Sequence, residues 1–329
     1  MTEIYGTFGP ACREQATLEA MFRAGMTGMR LNLSHCDLAD SADMLAAYRA
    51  AARAVGVDAQ LVIDTQGPEL RLGDLETPLL LRDGGAATLG AGGIPVPAVV
   101  LEALERGCEV LLDDGKISLR VIERCGDHAA AEVVRGGTLT GRKSVKLPGK
   151  NLHLPVLTER DLANIRCAAE FGVTGLLQPF VHSRNELRTL RAILAEHGAG
   201  HLKIFAKIET LEGAANLADI LPEADVVVIA RGDLGNDMPL WQLPAVQKDL
   251  SAACRKAGKP FLVVTQMLAS MEHAPVPTRA EVSDIFNAVA DGAWGVMVTG
   301  ETAVGQYPAE TIRYLSETAR EACRWLKRH

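Results

Sequence analysis

Aromatic residues are scarce in this chain. Phe, Trp and Tyr make up 4% of 329 residues, so a core has to rest on Leu, Val, Ile, Ala and Met. No segment reaches the roughly 18 consecutive apolar residues that a membrane span needs. Glu3 stands close to the start, and no apolar leader core follows it. Together these absences lead us to expect a cytoplasmic protein with no membrane partner. The seven cysteines (Cys12, Cys36, Cys108, Cys125, Cys167, Cys254 and Cys323) are scattered, odd in number and without a C-x-x-C pair. A disulfide framework or a zinc site is therefore not expected, and a reducing compartment fits. Long basic runs are also missing and the formal net charge is −7, which argues against nucleic acid as a partner. Neither G-x-x-x-x-G-K-[ST] nor G-x-G-x-x-G occurs, so a bound nucleotide would have to be held by other means.

What is present is a normal globular balance, 48% hydrophobic and 23% charged. The length suits one large barrel with a small insert, or two ordinary domains. Short apolar runs at 4–7, 29–33, 61–64, 174–177, 203–207, 226–230, 261–265 and 295–298 read as strands. Helical spacing follows most of them, at 17–24, 41–55, 158–171, 183–196, 243–257, 279–291 and from Pro308 onward. Thr158 and Ser183 stand where N-caps belong. This alternation predicts parallel β/α units, and eight strands is the number of a TIM (β/α)8 barrel. A doubly wound sheet is the competing arrangement. Between Gly73 and Leu152 the helical patterns largely vanish, while β-like runs at 109–112, 117–122 and 130–134 sit among Gly and Pro. We expect a small β domain at 73–152, inserted after the third strand of a barrel formed by 1–72 and 153–329. An oversized loop is the plainer alternative.

In such a barrel the chemistry lies at the C-terminal ends of the strands. Those ends are polar here: Arg30, Asn32 and Ser34; Asp64 and Thr65; Lys207 and Glu209; Arg231, Gly232 and Asp233; Thr265 and Gln266; Thr299, Gly300 and Glu301. Lys207 and Glu209 are two apart on a strand and point to the same side. With Asp233 at the next strand end, two carboxylates suit Mg²⁺, which takes few protein ligands. A buried Lys207–Glu209 ion pair is the bland alternative. Asn32, Ser34, Asp64 and Thr65 offer four oxygen ligands of low total charge, which fits a monovalent cation better than a transition metal. Ordinary strand-end capping explains them equally well. Gly232 would let a ligand approach the backbone, and a short helix starting there would offer N–H groups to a carboxylate; a simple turn is the alternative. His35 is either a ligand contact or a solvated loop histidine.

The stretches TFGPA (7–11), GMRLNLSH (28–35), IDTQGPELRLG (63–73), KIET (207–210), ARGDLG (230–235), TQMLASM (265–271), PTRAEVSD (277–284) and TGETAVGQYP (299–308) resemble the pyruvate kinase family in order and spacing. DDGKISLRV (113–121) and LPGKNLHLPVLTERD (147–161) are similar to motifs of that family's mobile lid domain. The resemblance covers nearly the whole chain. It implies a phosphotransferase that interconverts phosphoenolpyruvate plus ADP with pyruvate plus ATP, using Mg²⁺ and K⁺. Glu209 and Asp233 would hold Mg²⁺, and Lys207 and Arg30 would contact the transferring phosphoryl group. Thr265 and the backbone at Gly232 and Asp233 would hold the substrate carboxylate. Asn32, Ser34, Asp64 and Thr65 would bind K⁺, with Glu69 marking the potassium-dependent branch. Pro10, His35 and Arg71 would face the nucleotide. Thr299, in place of the usual Ser, would belong to the proton-delivery region.

The chain departs from the family at Pro179 (usually Ser), His182 (usually Arg) and Gln66 (usually Lys), and its insert is short. Two further readings follow: a specialised paralogue acting on a related enol or hydroxy-acid phosphate, and a Mg²⁺-enolate lyase or aldolase of the same barrel superfamily. A non-catalytic scaffold is the reading from outside enzymology. The resemblance ends after the eighth barrel helix, so we expect no C-terminal regulatory domain and no allostery borne by one. The segment 277–289 resembles a subunit contact, and a homodimer is the expected assembly.

Overall fold

The computed structural model of the chain describes residues 2–67, 70–150, 152 and 155–328. The expectation attached to Glu69 lies outside the described residues. In chain order the strands are β1 (Glu3–Thr7), β2 (Gly28–Asn32), β3 (Gln60–Asp64), β4 (Leu79–Leu81), β5 (Ala86–Gly90), β6 (Glu109–Leu112), β7 (Ile117–Cys125), β8 (His128–Arg135), β9 (Gly137–Leu139), β10 (Val145–Lys146), β11 (Gly175–Gln178), β12 (Lys203–Ile208), β13 (Val226–Ala230), β14 (Phe261–Val264) and β15 (Gly295–Met297). The α-helices are α1 (Gln15–Arg23), α2 (Ala42–Val55), α3 (Ala98–Ala103), α4 (Glu159–Cys167), α5 (Arg184–Glu196), α6 (Leu211–Ala215), α7 (Leu217–Ile220), α8 (Arg231–Asn236), α9 (Leu243–Lys256), α10 (Arg279–Ala290), α11 (Gly300–Ala303) and α12 (Pro308–Leu326). The chain divides into two compact units, one formed by 1–67, 156–234 and 241–329, the other by 68–155 and 235–240.

The first unit is a closed eight-stranded parallel barrel, with strands in the order β1, β2, β3, β11, β12, β13, β14, β15 and back to β1. Both faces of these strands are covered, so they read as continuous apolar runs rather than alternating ones; all five residues of β13, VVVIA, are buried. Val62, Leu177, Val226, Val228, Leu262 and Met297 belong to one core cluster within the barrel. Three aromatics belong to this cluster or pack against it. Tyr5, Phe205 and Trp294 lie with ring centroids 6.2–6.4 Å apart, and the Tyr5 hydroxyl donates to Gln60 at 2.7 Å. The surrounding helices start where the sequence supplies caps. The hydroxyls of Thr158, Ser183, Thr210 and Thr278 each accept an N–H from the first turn of their helix.

The second unit contains an antiparallel five-stranded sheet, ordered β10-β6-β7-β8-β5, and a separate β4-β9 pair. Its own core includes Leu89, Val100, Val110, Leu119, Ala131 and Leu139. Three features differ from the sequence reading, the first being strands β4, β5, β9 and β10, which were not foreseen. Strands β7 and β8 run longer, because their outer halves alternate with exposed polar residues and lack an unbroken apolar signal. Helix α3 was not foreseen; its six residues are too few for a 3.6-residue period to register.

Candidate active site

Four of the candidate residues form one buried charge cluster at the C-terminal ends of β2, β3 and β12. Arg30 donates to Asp64 Oδ2 through Nε at 2.7 Å and Nη2 at 2.6 Å. Lys207 Nζ lies 3.3 Å from both Asp64 oxygens and 3.0 Å from Glu209 Oε1. The other Glu209 oxygen accepts the Phe180 N–H at 2.8 Å, at a residue held in the left-handed region with φ of 51°. The two carboxylates are about 3% exposed and the two cations 14%. Burial acts to raise the Asp64 carboxyl, but the charges of Lys207 and Arg30 outweigh it and hold the group below the ordinary aspartate value. Burial likewise acts to lower the Lys207 ammonium, and the charges of Asp64 and Glu209 hold it above its ordinary value. The Lys207–Glu209 ion pair considered from spacing exists, and Asp64 joins it. Asp64 is therefore not an ordinary strand-end cap but the acceptor shared by two cations.

The remaining oxygen donors of that rim surround Asp64 in sequence. Asn32 pairs with Asp64 in the β2–β3 register, and its Oδ1 accepts the Ser34 N–H at 3.2 Å. Thr65 is buried, and its hydroxyl donates to the Leu177 carbonyl at 3.1 Å. Asp233 lies half-buried in the first turn of α8, at the end of β13. Pro10 and His35 are exposed on the loops after β1 and β2. Arg71 belongs to the other unit, where it donates to the Arg142 carbonyl at 3.0 Å and bridges Ser144.

Beyond β14 the backbone itself is strained. Thr265 has φ of 81° and Gln266 has φ of 54°, a region costly for a β-branched residue. Arg231 holds this turn. Its Nη2 donates to the Thr265 carbonyl at 2.7 Å, and Asp284 on α10 anchors the guanidinium with two contacts at 2.9 and 2.7 Å. Gly232 backs onto the same residue: a Cβ placed there would come 3.2 Å from Thr265 Cγ2. Thr299 donates its N–H to Glu301 at 2.6 Å, and the second Glu301 oxygen accepts the Leu268 N–H at 3.1 Å. The buried Glu301 thus joins the ends of β14 and β15.

Sequence reasoning assigned no role to Asp284 or Asp161, and named Arg231 and Glu301 only as polar strand ends. Asp284 follows Arg231 by 53 residues and leaves no local pattern. Asp161 did leave one, since it stands three residues after the cap Thr158. The departure at Pro179 also has a structural counterpart. Pro179 is buried, and a Cβ on Gly67 would come 2.5 Å from its Cγ, so the ends of β3 and β11 are in close contact.

A closed parallel barrel with a charged, hydrogen-bonded rim at its C-terminal strand ends has the anatomy of a TIM-barrel enzyme. The family model described as "Pyruvate kinase, barrel domain" matches residues 1–88 and 94–312. Curated relatives named pyruvate kinase include those of Geobacillus stearothermophilus, 38% identical, Sporosarcina psychrophila, 37% identical, and Staphylococcus saprophyticus, 36% identical. Each match covers 97% of this chain and 56% of the relative. The chain belongs to the pyruvate kinase family. It spans about half the length of the curated relatives it matches.

Proposed function

We propose that the protein transfers a phosphoryl group between phosphoenolpyruvate and ADP, giving pyruvate and ATP. The observation that carries this reading is the neutral cluster of Arg30, Lys207, Asp64 and Glu209 at the barrel rim. Phosphoryl transfer needs positioning and charge stabilisation more than covalent help. Lys207 and Arg30 are fixed cations, each 14% exposed, in a largely buried site where such charges act strongly. A lyase or aldolase working on a bound enolate would have no use for a lysine pinned between two carboxylates.

The donor sets suit the cations the family uses. Among the described residues no group of three His, Cys, Asp or Glu side chains could hold a metal. Two carboxylates, Glu209 and Asp233, are what Mg²⁺ asks of a protein when substrate oxygens and water complete its shell. Asn32, Ser34, Asp64 and Thr65 present only oxygen donors and would hold K⁺. Bound Mg²⁺ would supply further neutralisation of phosphate charge. In the reaction the bond from phosphorus to the enol oxygen breaks and a bond to the terminal ADP oxygen forms. Lys207 and Arg30 neutralise the moving group. Thr265 and the Gly232–Asp233 backbone orient the carboxylate. The enolate then takes a proton at its methylene carbon, from water held in the region of Thr265 and Thr299. Pro10 and His35 face the nucleotide in this reading, and the working unit is a homodimer.

A related enol or hydroxy-acid phosphate is the second reading. Its support is Pro179, which replaces a hydroxyl donor with a ring packed at Gly67, together with His182, whose Nδ1 lies 3.8 Å from Glu186. Assaying a panel of phosphorylated enols and hydroxy acids with ADP, Mg²⁺ and K⁺ tests both. Turnover fastest with phosphoenolpyruvate supports the main reading, and turnover confined to another member overturns it in favour of the second.

A further inference from the structure

Helix α4 ends one connection and opens another, yet its first two turns are bonded to loops far away in sequence. Asp161 is 1% exposed. Its Oδ1 accepts the Gln66 N–H at 2.8 Å. Its Oδ2 accepts the Gly67 N–H at 3.0 Å, the Thr158 N–H at 2.9 Å and the Thr158 hydroxyl at 2.8 Å. A capping-box carboxylate ordinarily accepts only from its own N-cap. This one carries two further N–H groups from a segment 94 and 95 positions away. The same helix holds the neighbouring loop. Arg160 and Asn164 donate to Asp37 at 2.7 and 2.9 Å, and Asn164 accepts the Leu38 N–H at 2.7 Å.

The geometry points to Asp161 as a positioning residue for the rim of the site. Gln66 and Gly67 follow Asp64 and Thr65 directly, so fixing their N–H groups fixes the exit of β3. Arg30 and Lys207 both bond to Asp64, and a swing of that exit would disturb both contacts. Asp37 and Leu38 follow Asn32 and Ser34 in the same way, and α4 fixes them through Arg160 and Asn164. Helix capping alone would not require the Gln66 and Gly67 contacts. The consequence for catalysis rests on the phosphotransferase reading, since that reading assigns Asp64 and Thr65 to K⁺ and is carried by the cluster in which Asp64 bonds to both cations. Displacing positioned groups by about 1 Å is enough to cost ~10²-fold in rate.

Two variants separate capping from positioning. Thr158→Ala weakens the cap but leaves the Gln66 and Gly67 bonds to Asp161. Asp161→Asn replaces one acceptor oxygen by an NH₂ group that faces N–H donors. Both are expected to lower Tm. Only Asp161→Asn should raise the K⁺ concentration for half-activation several-fold and lower kcat/KM at least tenfold. Only Asp161→Asn should also speed hydrogen exchange at the Gln66 and Gly67 amides at least tenfold, a readout that does not depend on turnover. If the two variants match in exchange, K⁺ dependence and kcat/KM, Asp161 is a helix cap and the inference is wrong. If exchange separates them while the unaltered chain fails to turn over phosphoenolpyruvate and ADP, the functional reading fails and the loop restraint stands.

Discussion

Lys207 is held between two buried carboxylates, and that arrangement sets what its removal does. Lys207→Met should lower turnover ~10²–10³-fold, because a preorganised cation is lost from the developing charge. It should also destabilise the fold by about 3 kcal/mol, because buried Glu209 loses its ion-pair partner and Asp64 keeps only Arg30. Urea unfolding beside steady-state kinetics measures both, and near-normal turnover would remove Lys207 from the chemistry. The same cluster gives a pH signature. Asp64 titrates below its ordinary 3.8, so its stabilisation is complete above that value and is lost as pH falls through the lowered one. Lys207 titrates above its ordinary 10.5, so its share is complete below that value and is lost as pH rises through the raised one. Asp64→Asn should therefore flatten the acid limb of the stability profile below about pH 4. An unchanged limb would mean that Asp64 is not held as described. Spacing alone made Lys207 and Glu209 neighbours. Asp64 stands 143 positions from Lys207, and no local pattern announced it.

The connections after β13 and β14 depend on backbone geometry as much as on side chains. Thr265 occupies a left-handed conformation that glycine would adopt without strain. Thr265→Gly should keep or raise stability by about 1 kcal/mol while weakening substrate affinity several-fold. Loss of stability with unaltered KM would show that the strained turn serves folding rather than binding. Helix α10 tests capping more simply. Glu281 accepts from the Thr278 N–H at 2.7 Å and the Ser270 hydroxyl at 2.6 Å, and Thr278 caps the helix. Thr278→Ala should cost about 1 kcal/mol in denaturant unfolding. Caps and strand positions were legible because they are local. Strand β13 was read over its full length, and the other barrel strands shifted by one residue at their ends. The left-handed turn at Thr265 was not legible, since a β-branched residue is the last choice for that conformation.

The two cation sites proposed for this barrel each draw on two adjacent strands, Glu209 and Asp233 at the ends of one pair and Asn32 and Asp64 on another. Asp233→Ala should weaken Mg²⁺ binding in calorimetry and lower activity with it; unchanged affinity would contradict the assignment. Replacing K⁺ by tetramethylammonium should lower the rate, and an indifferent rate would remove the monovalent site. A homodimer should appear as twice the chain mass in light scattering across protein concentrations. Helix α10 turns Ile285, Ala288 and Val289 inward and rests Phe286 on Trp325 with centroids 5.8 Å apart. Phe286 thus has a partner within its own chain, and the light-scattering mass decides whether α10 also meets a second copy.

The sequence by itself determined the alternation of strands and helices, the helix caps, the edge of the barrel where polar residues gather, and the family. Each of these is written in residues close together along the chain, where periodicity and cap chemistry act. Only the tertiary structure decided which distant groups meet. Asp64 balances Arg30 and Lys207, Asp284 anchors Arg231, and Asp161 carries the N–H groups of Gln66 and Gly67. The physical reason is barrel closure. Hydrogen bonding between parallel strands brings residues tens to hundreds of positions apart to one rim. Burial then makes each charge there depend on a partner that the local sequence does not name.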